Sequence, residues 1–164
     1  MFQRSLVDKI IVQKEDFDLS TEVSLARECN SGTGAIVSFV GTVRDIEGNK
    51  LQSMTLEHYP QMTEKSLEEI ASKARERWDI QSITIIHRIG ELKVSDQIVL
   101  VVTTSKHRQD AFDSCNFIMD YLKTDAPFWK KESINDKDSW VDSRGRSEER
   151  RVGKECRSRW SPYY

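Results

Sequence analysis

The chain has 164 residues, 37% of them apolar and 32% charged, which is enough for one ordinary domain with a real core and too few for two. No run approaches the roughly 18 apolar residues of a membrane span, and Met1-Phe2-Gln3-Arg4-Ser5 leads into a strand-like segment bearing Asp8 and Lys9 rather than an apolar signal region. The expectation is a cytoplasmic protein with no membrane association. Cys29, Cys115 and Cys156 are widely spaced, with no CxxC pair and no matching His spacing, which fits a reducing compartment and argues against a metal site.

The net charge of -2 is unevenly spread: residues 143–164 carry +4 and residues 1–142 carry -6. The basic stretch has no sustained apolar period and reads as a vector-derived or read-through extension, so the folded domain is expected to be 1–142, with 143–164 a disordered tail. A basic arm for nucleic acid is the competing reading, because such charge runs bind phosphates without sequence preference.

Leu6 to Val12 reads as a first strand. Asp18 and Ser20 offer N-cap oxygens to a short helix carrying Leu25, Ala26 and Cys29, ended by Asn30-Ser31-Gly32. Gly34 to Val43 is β-branched and glycine-bounded, and reads as a buried strand. Turn residues from Ile46 to Lys50 then lead into Leu51–Tyr59, so these two strands are expected to pair as an antiparallel hairpin with a longer loop. Pro60 breaks the second strand, and Thr63 is positioned to cap a helix whose Leu67, Ile70, Ala71, Ala74 and Trp78 fall on one face.

Ile80 to Ile89 alternates, with Ile83, Ile85, His87 and Ile89 on one side, and His87 is expected to be a hydrogen-bonded core residue before it is a ligand. Ile98 to Ser105 is strongly β-branched and should be a central strand. Lys106-His107-Arg108 precedes a helix over 109–122 with Ala111, Phe112, Cys115, Ile118, Met119 and Leu122 inward, and Trp140-Val141 reads as a last short strand. Hairpin-type connections outnumber strict βαβ alternation, which gives an α+β class with a mainly antiparallel sheet and packed helices.

No GxGxxG, Walker, HExxH or GxSxG signature occurs, so the chemistry is read from cations. Arg44 follows one strand, His107 and Arg108 follow another, and Lys123, Lys130 and Lys131 flank a helix end. Cations beside a helix N-terminus favour an anion. Arginine offers a planar fork to phosphate, whereas a lysine buried near other cations can lose its proton and act as base or nucleophile. Six such groups at element ends are candidates for one site. The plainer alternative makes Lys130 and Lys131 surface charges with Trp129 tucked inward.

The segments Gly41-Thr42-Val43-Arg44, Leu56-Glu57-His58-Tyr59-Pro60 with Met62-Thr63-Glu64-Lys65, Ile86 to Leu92, Ser105-Lys106-His107-Arg108 and Phe117 to Glu132 together resemble the large, catalytic subunits of molybdopterin synthases. The resemblance spans roughly residues 5 to 142 and rests on five motifs in order. It implies a hammerhead-type α+β fold and a homodimer within a heterotetramer, completed by a small ubiquitin-like sulfur-carrier subunit ending in a thiocarboxylate. The implied activity is that of a sulfurtransferase, moving two sulfurs onto cyclic pyranopterin monophosphate to form a dithiolene in molybdenum cofactor biosynthesis. No metal, cofactor, nucleic acid or membrane is implied.

Carried over by motif, Lys123 and Lys130 are the catalytic candidates, and Thr42, Val43, Arg44, His107, Arg108, Lys131 and Glu132 match substrate-contacting positions. Thr42 offers a hydroxyl rather than a charge, and the basic tail has no place in the family pattern. Two other classes stay open: a noncatalytic adaptor that binds a ubiquitin-like carrier tail, and a lysine Schiff-base lyase acting on a phosphorylated sugar.

Overall fold

The computed structural model describes residues 8–45, 48, 51–134 and 137–141. The expectations for Leu6, Val7 and the 143–164 tail lie outside these residues, as does most of the turn between Ile46 and Lys50. The elements run β1 (Lys9–Gln13), α1 (Leu19–Glu28), β2 (Ala35–Thr42), β3 (Leu51–His58), α2 (Met62–Arg77), β4 (Ser82–Arg88), β5 (Gly90–Leu92), β6 (Gln97–Ser105), α3 (Arg108–Thr124), β7 (Phe128–Ile134) and β8 (Lys137–Val141).

Alternation within β4 and β6 sets the first layer. Ile83, Ile85, Val99 and Val101 pack with Leu67, Ala71 and Ala74 of α2 and with Cys115, Ile118 and Met119 of α3. Ile86, Leu100 and Val102 turn the other way, onto Phe17 and onto Ala26 of α1. A strand that is apolar on both faces needs cover on both, and the helices supply it. Each fully buried Leu or Ile contributes about 1.5–3 kcal/mol, so these two clusters outweigh surface pairs worth a few tenths. The sheet order is β1-β4-β6-β2, with β1 parallel to β4 and the remaining pairs antiparallel.

The second sheet, β5-β3-β7-β8, is antiparallel throughout. It closes a smaller core of Val43, Leu51, Met54, Leu56 and Leu92, with Ile98 and Ile134 against it. The chain passes from the first sheet to the second through Gly90, whose φ of 86° favours a residue without Cβ. The resulting α+β architecture, antiparallel in the main with helices packed on it, is the class read from the sequence.

Several local expectations are corrected. β2 and β3 do not form a hairpin: β2 pairs with β6, whereas β3 lies between β5 and β7 in the other sheet. Nor is β2 a buried strand, because it is the edge of its sheet, with Ser38, Phe39 and Thr42 exposed. Thr63 does not cap α2; the cap is Gln61, in a left-handed conformation at φ 68°, and Thr63 is a fully buried residue of the first turn. Phe112 is 59% exposed rather than inward. Finally, residues Phe128–Ile134, read only as a lysine-rich stretch after a proline stop, form the strand β7.

Candidate active site

β7 carries the central pair. Its even positions face inward: Phe128 packs on the helix-covered core, Ile134 on the second core, and Glu132 is 2% exposed. Lys130 shares that face, and its Nζ lies 2.8 Å from Glu132 Oε1. Lys131 points to the opposite face, where its Nζ meets Asp138 of β8 at 2.5 Å and holds that carboxyl below the usual range. Trp129, also outward, packs edge-on against Tyr59 with ring centres 4.1 Å apart. The reading of Lys130 and Lys131 as equivalent surface charges with Trp129 inward is therefore reversed for Trp129 and holds only for Lys131.

Lys123 sits exposed in the last turn of α3, where the helix dipole favours a cation. Between it and β7 the chain makes a tight corner. The amides of Asp125 and Ala126 both donate to the Tyr121 carbonyl, and the Phe128 amide donates back to the Ala126 carbonyl at 2.8 Å. This last bond closes a three-residue turn centred on Pro127, whose fixed φ suits it.

The direction of α3 decides which cations share an end of the molecule. Thr103 Oγ1, near the end of β6, donates to the Ala111 carbonyl in the first turns of α3, and the helix then runs back along β6 so that Met119 reaches the cluster containing Val99. Lys123 therefore lies toward the β6 start. Arg44 is at that same end, since the Val43 amide donates to the Asp96 carbonyl and the Ser95 amide to the Val43 carbonyl. His107 and Arg108 follow Ser105 at the other end of β6, roughly 25 Å away at about 3.3 Å per residue. The six cations do not converge within one chain: Lys123 and Arg44 lie toward the β6 start, one corner from Lys130, His107 and Arg108 lie toward its other end, and Lys131 points to the opposite face of β7 onto Asp138. Thr42 is exposed at the end of β2, beside an irregularity in its pairing with β6. Val43 is buried in the second core, with its amide and carbonyl already engaged.

Sequence reasoning missed the groups packed around the β7 start. His87 stacks on Phe128 with ring centres 3.8 Å apart and 15° between planes, and its Nδ1 lies 2.8 Å from the Arg88 carbonyl, which makes Nδ1 the protonated nitrogen. The reading of His87 as a satisfied core residue stands. Burial pushes its pKa down to about 4, and the neighbouring His58 adds to that effect. Thr63 Oγ1 donates to the Pro127 carbonyl at 3.2 Å, and His58 Nε2 lies 3.6 Å from Glu64 Oε1. The clue lay in Leu56 to Lys65, where a histidine, a threonine and a glutamate cluster around a proline break.

A pH dependence follows from His87. The unfolded chain takes up a proton near pH 6.5 that the folded chain does not accept until about pH 4. The unfolded state thus holds more protons between these values, and stability falls as pH drops from about 6.5 to about 4, by roughly 3 kcal/mol in all. Denaturant unfolding across that range should show the slope in the native protein and a flatter one in His87→Phe.

Among the described residues no group of three His, Cys, Asp or Glu is arranged to hold a metal, and no helix is long and apolar enough to cross a membrane. A four-stranded sheet with helices on both faces and a second, antiparallel sheet give this chain the fold class of the molybdopterin synthase from Staphylococcus aureus. That structure is 31% identical and superposes with a TM-score of 0.74 over 80% of this chain and 95% of its own. The MoaE protein from Burkholderia ambifaria is closer in sequence, at 51% identity, with a TM-score of 0.75 over 90% of this chain and 99% of its own. A molybdopterin synthase catalytic subunit from Ralstonia nicotianae is 52% identical over 136 residues, 82% of this chain and 77% of that protein. The family model described as MoaE protein matches residues 12–125, and the chain belongs to that family.

Proposed function

We propose that this chain is the catalytic subunit of a molybdopterin synthase and transfers sulfur from a thiocarboxylated carrier protein to cyclic pyranopterin monophosphate. The observation that carries the reading is Lys130 held half-buried beside Glu132 on the inner face of β7, one tight corner away from Lys123, in a chain about half identical to catalytic subunits of that synthase.

The chemistry explains the need for cations. Donor and acceptor are both anionic, and two unit charges about 4 Å apart repel by roughly 4 kcal/mol at an effective dielectric near 20. Lys123 meets the thiocarboxylate and the charge that develops as its sulfur attacks a pterin carbon. Lys130 assists proton transfer and opening of the cyclic phosphate, with Glu132 fixing its ammonium. Arg44 binds phosphate. Each carrier gives up one sulfur and leaves with a terminal carboxylate whose new oxygen comes from water, so two carriers serve one dithiolene.

His107 and Arg108 lie too far from Lys123 to serve the same ligand in one chain, and we assign them to the site of a second copy. A homodimer flanked by two carrier subunits satisfies both requirements. The unpaired Cys29 and Cys115 fit a reducing cytoplasm as the place of this reaction. Incubation of the protein with thiocarboxylated carrier and cyclic pyranopterin monophosphate should yield dithiolene product. Carrier binding without any product would favour the noncatalytic adaptor instead.

A further inference from the structure

The corner between the two lysines is held from three elements that carry neither of them. From α2, the fully buried Thr63 donates its hydroxyl to the Pro127 carbonyl at 3.2 Å. From β4, the buried His87 ring lies flat on Phe128. From β3, His58 is the register partner of Phe128, and its ring nitrogen faces Glu64, one residue after Thr63. The backbone bends sharply to deliver Thr63: Gln61 adopts φ 68°, rare for a residue with a Cβ, and the Thr63 amide donates to the Tyr59 carbonyl at 2.9 Å. Local strain of this kind persists where surrounding contacts over-determine it.

A hydroxyl bonded to the carbonyl of a proline corner does little for the bulk of the core, since Leu67, Ile70 and Ala71 of the same helix already supply the packing. What it does fix is the angle at which β7 leaves α3. We propose that Thr63 is a positioning residue for sulfur transfer, setting the separation of Lys123 and Lys130 through the Pro127 carbonyl, with the His87–Phe128 stack as its second anchor. The inference rests on the assignment of those two lysines as the working groups.

A displacement of about 1 Å at a reacting centre costs up to a hundredfold in rate. Thr63→Val keeps the branched shape and removes the donor, so it should lower kcat by roughly tenfold or more. KM and carrier binding should stay near the native values, and the melting temperature should shift by only a few degrees. Thr63→Ser, which restores the hydroxyl, should recover most of the rate, and Thr63→Ala should behave like the valine variant. A merely structural role would not produce this split between kcat and KM with rescue by serine. Native kcat in both Thr63→Val and Thr63→Ala, alongside an inactive Lys123→Ala, would overturn the positioning role and leave the lysines intact. Native kcat in Lys123→Ala would remove the assignment on which it rests.

Discussion

Lys123→Ala should lose at least about a hundredfold in kcat, the scale seen when one preorganised charge-stabilising group is removed from an active site. The side chain is exposed at the end of α3, where a cation contributes only a few tenths of a kcal/mol through the helix dipole. Fold and melting behaviour should therefore be close to native, and the carrier should still bind, because truncation removes a charge and not an apolar surface. Product formation, thermal unfolding and carrier co-purification measured on one preparation separate these effects. Turnover at the native rate would show that the charge at this position is not used.

Lys130→Ala should act twice. Activity should fall on the same scale, and stability should drop by roughly 2 kcal/mol, the magnitude of a hydrogen bond to a charged group, because Glu132 is buried and loses the ammonium 2.8 Å away. Replacing the pair together, as Lys130→Met with Glu132→Leu, should restore the stability, since a buried ion pair is often matched or exceeded by well-packed apolar residues. It should not restore activity. Recovery of both would make the pair purely structural.

Residues that alternate cleanly were legible from sequence alone. In β4 and β6 the inward positions other than His87 are apolar or small, so both strands, and the central place of β6, followed from their β-branched, alternating pattern. β7 hid for the converse reason. Two of its four inward positions are Lys130 and Glu132, and an ion pair in place of hydrophobic residues erases the alternation that identifies a strand. The β2–β3 hairpin was a reasonable local reading, but pairing is decided by which sheet edges are free, and β6 and β7, far along the chain, offered better ones.

The site divides in the same way. Lys123 and Lys130 were identified by motif, and the helix read over 109–122 by itself sets Lys123 about 22 Å from Arg108 at 1.5 Å per residue. What local sequence does not tell is that α3 runs back along β6, held by contacts such as Thr103 with Ala111, which puts Lys123 at the same end as Arg44. Val43 matched a substrate-contacting position but is a core residue, because the edge strand turns it under the second sheet. Thr63 read as a helix cap because threonine before an amphipathic stretch usually is one; the left-handed Gln61 moved the helix start one residue upstream of it.

The division of cations between two ends of the chain is tested most directly by mixing. Lys123→Ala and Arg108→Ala proteins, each inactive alone, are co-expressed with distinct tags and assayed for dithiolene formation with thiocarboxylated carrier. If each site draws Lys123 from one copy and Arg108 from another, a mixed dimer contains one intact site, and random pairing should restore about a quarter of native activity in a two-fold dimer. Mixed dimers that form but remain inactive would contradict a site shared between copies.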